Sequence, residues 1–284
     1  MRPSAPTRRP ESAQSRRDDE ASPEPSAQEL DDIERHLAVL PLHAGGRAWQ
    51  DDDLGLLIVR AEPPGQGHDL AAMVRWPAGE LRDRLAALER HARADGTWPS
   101  LLLAEGLSRP ADLPARVAEA GWSQLRQETT MWTRRPVAVP HLDPRLRLEA
   151  ATERSVAEYE ALERRIFGLP AWDAAGRVRG LSAGIAGGTL RAFLVRSGGV
   201  AVAVARLSLL YGSAGLYGIG VAPERRREGL GGFVTAVAMR AALARGGSLV
   251  WLSVENDNAA ARRLYERLGF RPAFGWSRWL AAPR

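Results

Sequence analysis

An apolar strand that runs into Val-Ala-Pro-Glu-Arg-Arg-Arg-Glu-Gly-Leu-Gly, residues 221 to 231, and then into a helix narrows the choice of fold more than any other feature. A strand feeding a helix through glycines belongs to an α/β chain, and it builds an anion site. The first N–H groups of a helix lack internal partners and carry partial positive charge, so a phosphate placed there is stabilised by both. Gly229, Gly231 and Gly232 have no Cβ, which lets a bulky diphosphate approach the backbone. Three arginines, Arg225, Arg226 and Arg227, stand beside them.

Downstream, Gly-Ser-Leu-Val-Trp-Leu-Ser-Val-Glu at 247 to 255 reads as a buried strand. Asn258, Ala261, Leu264, Tyr265, Glu266, Gly269 and Phe270 then fall on a short helix and its exit. Together these segments resemble the GCN5-related N-acetyltransferase (GNAT) family. Its acyl-CoA signature, Arg or Gln, two residues, Gly, one residue, Gly or Ala, is matched by Arg226, Gly229 and Gly231. Its later pattern, Asn, two residues, Ala, two residues, Leu-Tyr-Glu-x-Leu-Gly-Phe, is matched from Asn258 to Phe270.

The resemblance implies an α/β fold, a mixed central sheet flanked by helices, with acetyl-CoA as acyl donor and no metal. It implies that the strand Tyr-Gly-Ile-Gly-Val at 217 to 221 parts from its neighbour at a bulge, where Gly218 and Gly220 suit close ligand approach. The backbones of Ile219 and Val221 would then contact pantetheine. The N–H groups of Arg226, Arg227, Glu228, Gly229, Leu230 and Gly231 would hold the diphosphate, with the Arg226 guanidinium reaching a phosphate. Asn258 resembles the residue that hydrogen-bonds the pantetheine arm, and Tyr265 resembles the general acid for the departing thiolate. Each has a plainer alternative: glycines relieve crowding in a twisted strand, Asn258 caps a helix, and Tyr265 packs in a core.

The general base is less defined, because Tyr217, Gly218, Ile219 and Gly220 offer no carboxylate where many family members carry one. Glu255, ending the strand that faces the cleft, is the first candidate, and Glu158, Glu160 and Glu163 on an earlier helix are the alternatives. Phe167, Leu169 and Trp172 fall where the family builds its acceptor pocket, although such residues more commonly pack a core.

The order of elements in the second half is strand 145 to 151, helices 155 to 167 and near 173 to 186, strands 189 to 197, 200 to 210 and 214 to 221, helix 229 to 246, strand 248 to 255, helix 258 to 268, and a last strand or hairpin from 271 to 281. This is the family's order. The first half reads as helix 30 to 40, strands 53 to 61 and 69 to 76, helix 78 to 94, strand 99 to 104, helix 111 to 120 and strand 123 to 134. Its Leu-Pro-Ala-Arg-Val-Ala-Glu-Ala-Gly-Trp at 113 to 122 echoes the segment ending at Phe270. We therefore expect a tandem arrangement with a degenerate first copy; the alternative is an unrelated α/β domain. In either case the first half is expected not to bind acyl-CoA in the family's mode. The expected division is a disordered tail at 1–28, a first domain at 29–135, a proline-marked linker at 136–144 and the acyl-CoA-binding catalytic domain at 145–284.

Composition limits the remaining classes. The chain has 284 residues and no cysteine, which excludes disulfides and a cysteine nucleophile. Histidines at 36, 43, 68, 91 and 141 show no metal-ligand spacing. The N-terminus has no secretory apolar run and no stretch reads as a membrane span, so a cytoplasmic protein is expected, monomeric or homodimeric. Residues 141 to 284 carry 21 arginines against 12 acidic residues, whereas residues 1 to 140 carry 18 against 22. The basic half is the half with the anion motif. No basic arm or RNA-binding signature is visible, which argues against nucleic acid. The resulting expectation is an N-acyltransferase moving acetyl to a primary amine of a small molecule or peptide. The alternatives are a non-catalytic acyl-CoA sensor and an aminoacyl-tRNA-dependent transferase.

Overall fold

The computed structural model describes residues 23–44, 46–61, 68–135, 137–140 and 144–281. Most of the segment read as a tail, residues 1–22, lies outside them. The rest of that segment is built into the fold. Helix α1 (Ala27–Val39) starts inside it through a capping box, in which Glu29 N–H donates to Ser26 Oγ at 3.2 Å and Ser26 N–H donates to Glu29 Oε2 at 2.9 Å.

The first half continues with β1 (Gly46–Asp51), β2 (Leu56–Ala61), β3 (His68–Ala72), α2 (Leu81–Ala94), β4 (Trp98–Ala104), α3 (Leu113–Glu119) and β5 (Ser123–Thr133). The second contains β6 (Leu146–Ala150), α4 (Val156–Phe167), α5 (Ala174–Ala186), β7 (Leu190–Ser197), β8 (Val200–Leu210), β9 (Ser213–Val221), α6 (Leu230–Ala244), β10 (Leu249–Glu255), α7 (Ala259–Arg267) and β11 (Arg271–Leu280). The sequence reading missed β1. Its Gly-Arg-Ala-Trp-Gln-Asp is mostly exposed at the sheet edge, so no apolar alternation marks it.

The two halves repeat one plan. Strands β1, β2 and β3 pair antiparallel in succession and β3 pairs parallel with β4; β7, β8, β9 and β10 do the same. The final strands are exchanged. A single sheet runs β1-β2-β3-β4-β11-β5-β10-β9-β8-β7-β6, so the last strand of each half lies beside the penultimate strand of the other. The boundary at 136–144 therefore separates two stretches of sequence but not two sheets.

Side chains on the exchanged strands show what holds them. Trp279 of β11 packs with Leu101, Leu103, Leu113 and Trp122 in the first half's core. Met131 of β5 packs with Leu216, Leu252, Val234 and Phe270 in the second half's core. Burying each such side chain contributes about 1.5–3 kcal/mol. Helices α6 and α7 cover one face of the second half. On the opposite face α4 and α5 lie over β7 and β8, while α1 reaches from β2 and β3 to β9. Among the described residues, no helix is long and apolar enough to cross a membrane.

Candidate functional site

Strands β9 and β10 stay paired only from Ser213↔Leu249 to Leu216↔Leu252. Beyond that point β9 continues to Val221 against β8 alone, and β10 continues to Glu255 against β5 alone. The parting coincides with a bulge. Between the pairs Arg206↔Tyr217 and Val204↔Gly220, β9 has one more residue than β8. Gly218 occupies this bulge with φ of +58°, in the left-handed region. A Cβ there would also lie 2.7 Å from Glu163 Oε1 and 2.9 Å from Arg206 Nε, so glycine is required twice over. The β9 edge at 217 to 221 presents backbone groups toward a wedge, and an extended ligand bearing amides complements such an edge.

The wedge leads to the start of α6. After a 3-10 turn at Pro223–Arg225, Arg227 (φ +67°) and Gly229 (φ +78°) alternate left-handed with their neighbours, a conformation that converges backbone N–H groups. The first bond entering α6 runs from Phe233 N–H to Gly229 O at 3.0 Å, so the N–H groups of Leu230, Gly231 and Gly232 precede the helical ladder. Arg225 grips Glu228 with two nitrogens at 2.8 Å, which neutralises both. Arg226 and Arg227 are exposed and have no ion pair among the described residues. Leu230 sends its side chain into the core and offers only backbone. Gly231 and Gly232 have a further reason to lack side chains: a Cβ on either would stand 3.3 Å from Leu264 of α7.

Asn258 caps α7, its Oδ1 accepting from Ala261 N–H at 3.1 Å, which leaves the amide N–H₂ as donors. Tyr265, about two helical turns beyond Asn258, stands edge-on to Phe270 at 6.0 Å, and burial pushes its phenol up to about 12. Ile219 and Val221 are half-buried against the same core. The structure thus gathers the proposed donor-binding residues around one wedge and the helix that follows it.

The carboxylates separate clearly. Glu255 is more than half exposed, 3.7 Å from Arg126 and opposite Glu128 in register. Glu158 pairs with Arg196 at 2.6 Å, and Glu160 pairs with Arg177 of α5 at 2.7 Å. Glu163 is buried against Arg206 beside the bulge. The sequence reading gave Arg206 no role; its being the one charge in the otherwise apolar β8 was the available signal. Phe167 and Ile166 press on Gly220, where a Cβ would meet Phe167 Cζ at 3.0 Å, and Trp172 nearby is 70% exposed.

Residues 156–270 match the sequence profile of the Acetyltransferase (GNAT) family. That segment of the chain is similar to a GNAT acetyltransferase domain. A mycothiol acetyltransferase of Kytococcus sedentarius is 47% identical over 58 residues, 20% of this chain and 20% of that protein. The [Ribosomal protein bS18]-alanine N-acetyltransferase of Escherichia coli is 36% identical over 81 residues, 28% of this chain and 55% of that protein. The chain thus matches between a fifth and just over half of the length of these relatives. A GCN5-related N-acetyltransferase from Kribbella flavida superposes with a TM-score of 0.67 at 19% identity, covering 90% of this chain and 95% of that one. A tandem GNAT protein from the clavulanic acid biosynthesis pathway gives 0.61 at 19% identity, covering 81% and 80%.

The position in the first half equivalent to the wedge between β9 and β10 is filled by the chain itself. Pairing of β3 with β4 ends at Ala71↔Leu101, and beyond it Arg109 N–H donates to Val74 O at 2.9 Å while Trp76 N–H donates to Arg109 O at 3.2 Å. The segment around Arg109 takes the place where an extended ligand would pair. The helix that follows, α2, begins after Glu80 with Asp83 in its first turn, charges that disfavour a diphosphate. Isothermal calorimetry with acetyl-CoA is therefore expected to give one equivalent per chain; two equivalents would show that the Arg109 segment yields to ligand. Among the described residues no group of three or more His, Asp or Glu side chains is placed to hold a metal ion.

Proposed function

We propose that this protein transfers an acetyl group from acetyl-CoA to a primary amine of a small molecule or peptide. The observation that carries the reading is the parting of β9 from β10 at a glycine bulge, leading directly into the left-handed turn at the start of α6. An edge of free amide groups followed by converging N–H groups suits an amide-bearing arm that ends in a diphosphate. Bound there, acetyl-CoA supplies a thioester carbonyl open to attack by nitrogen.

In this reading the backbones of Ile219 and Val221 extend the ladder to the pantetheine arm, and Asn258 donates its amide to it. The N–H groups from 226 to 231 hold the diphosphate, with Arg226 and Arg227 as the uncommitted cations. Tyr265, kept protonated by its burial, is the proton donor to the departing sulfur. Phe167 and Trp172 border the acceptor side. The relatives named for mycothiol and for a ribosomal protein's alanine suggest which amines to try first.

The test is thiol release from acetyl-CoA over a panel holding a peptide with N-terminal alanine, an amino sugar and an aliphatic diamine, beside a thermal shift with acetyl-CoA alone. A shift with turnover supports the enzyme, a shift without turnover on any amine supports the sensor, and no shift at millimolar ligand sinks both. Tyr265→Phe is expected to lower kcat by about 10- to 100-fold with acetyl-CoA affinity kept within about threefold. An unchanged kcat would remove Tyr265 from the chemistry.

A further inference from the structure

Glu163 is the one carboxylate of α4 that the packing turns onto the bulge of β9. It is 1% exposed and meets Arg206 of β8, 43 residues away in the chain. Only one of its oxygens is used. Oε1 accepts from Arg206, whereas Oε2 is buried and has no hydrogen-bond partner among the described residues. A buried acceptor left unpaired is costly, and a buried ion pair adds little stability that apolar residues would not supply. Such an arrangement is better explained by something Oε2 meets in function.

The location says what that is. Gly218 has no side chain where Glu163 Oε1 and Arg206 Nε lie within 3 Å of the missing Cβ, so the pair stands directly over the bulge, two residues beyond Leu216, the last position of β9 paired with β10. Arg206 is itself held in place, its guanidinium 5.1 Å over the Tyr217 ring. Tyr159, one turn earlier on α4, completes the enclosure, with Glu160 and Arg177 the next charges. Glu255, the carboxylate that sequence reasoning favoured, is solvated at the rim beside Arg126.

We propose that Glu163 Oε2 is the general base that takes the proton of the acceptor amine, with Arg206 as its positioning residue. The inference rests on the acetyltransferase reading and adds to it the missing proton acceptor. An alkylammonium near pKa 10.4 is free amine only about once in 2,500 molecules at pH 7, so a nearby acceptor is needed. One ammonium proton goes to Oε2, and the freed lone pair forms the C–N bond as the donor's C–S bond breaks. The sulfur keeps that electron pair and takes a proton from Tyr265 Oη. The phenolate recovers one from the second N–H as nitrogen becomes an amide, and Glu163 returns its proton to solvent. Burial raises the proton affinity of Glu163, with Arg206 and Arg177 opposing, which is the direction a base requires.

The test uses the full chain and the amine that turns over best in the panel. Glu163→Gln keeps the shape of the side chain and is expected to lower kcat at pH 7 by about 100-fold or more, with acetyl-CoA affinity within about threefold. Glu163→Asp, which keeps a carboxylate, is expected to recover at least about a tenth of the parent rate. In protein labelled with ¹³C at the glutamate δ-carbon, the signal missing from Glu163→Gln identifies Glu163, and it is expected to shift when the amine is added without acetyl-CoA. A kcat for Glu163→Gln within about threefold of the parent, or a Glu163 signal unmoved by saturating amine, overturns the proposal. If Glu163→Gln does not fold, Glu163→Asp, which also lacks that glutamate δ-carbon, supplies the assignment, and its rate and the response of the parent's signal to amine decide. A parent that binds acetyl-CoA but acetylates no amine overturns the enzyme reading and this inference with it, whereas an active Glu163→Gln overturns this inference alone.

Discussion

Residues 145–284, expressed without the first half, are expected not to fold cooperatively, although every residue of the proposed donor site lies within them. Strand β11 has two neighbours in the sheet, β4 and β5, and both belong to the first half. Strand β10 loses β5 as well, and with it six ladder positions from Val250↔Thr133 to Glu255↔Glu128. Trp251, Phe274, Trp276 and Trp279 lose the cover supplied by α1, Trp132 and the first half's core. At about 1.5–3 kcal/mol for each large side chain, the loss is comparable to the ~5–15 kcal/mol of net stability of a typical domain. The fragment should lack near-ultraviolet circular dichroism and a urea transition, while the full chain shows both. A fragment unfolding cooperatively near the full chain's midpoint would show that the exchanged strands are dispensable.

Gly229→Glu is expected to abolish the acetyl-CoA thermal shift, by two separate physical effects. Gly229 sits at φ +78°, where a side chain strains the backbone, so the N–H groups of the turn lose their convergence. The new carboxylate also stands at a helix N-terminus that the proposed function reserves for a diphosphate, placing like charges together. The expected loss of affinity is at least about 100-fold. Gly229→Ala separates the contributions, because it introduces the strain without the charge. A Gly229→Glu protein that folds and still binds acetyl-CoA with parent affinity would remove the α6 turn from the donor site.

How far each feature could be read in the chain depends on the range of the interaction behind it. The left-handed turn at Gly229, the cap at Asn258, the bulge at Gly218 and the apolar stripes of α6 and β10 follow from neighbours a few residues apart, and the residue types announce them. The polar edge strand β1 left no such mark. The start of α1 is marked by the Ser26 and Glu29 pair, but it lies in a proline-rich, charged region that the sequence reading gave to the tail. Among the carboxylates, sequence order favoured Glu255 for its place at a strand end. Nothing near Glu163 in sequence indicates Arg206, since their contact depends on how α4 lies across β8.

Local chemistry was therefore enough for the left-handed turn at the start of α6, the order of elements in the second half and the echo between the halves, because glycine dihedrals, caps and side-chain periodicity are properties of a short stretch of chain. The exchange of β5 and β11, the filling of the first half's cleft by the Arg109 segment and the seating of Glu163 over Gly218 arise only on packing. An alternating strand specifies which of its faces is buried, and leaves open which strand it pairs with. That choice belongs to the cores that Trp279 and Met131 fill, each in the half of the chain that does not encode it.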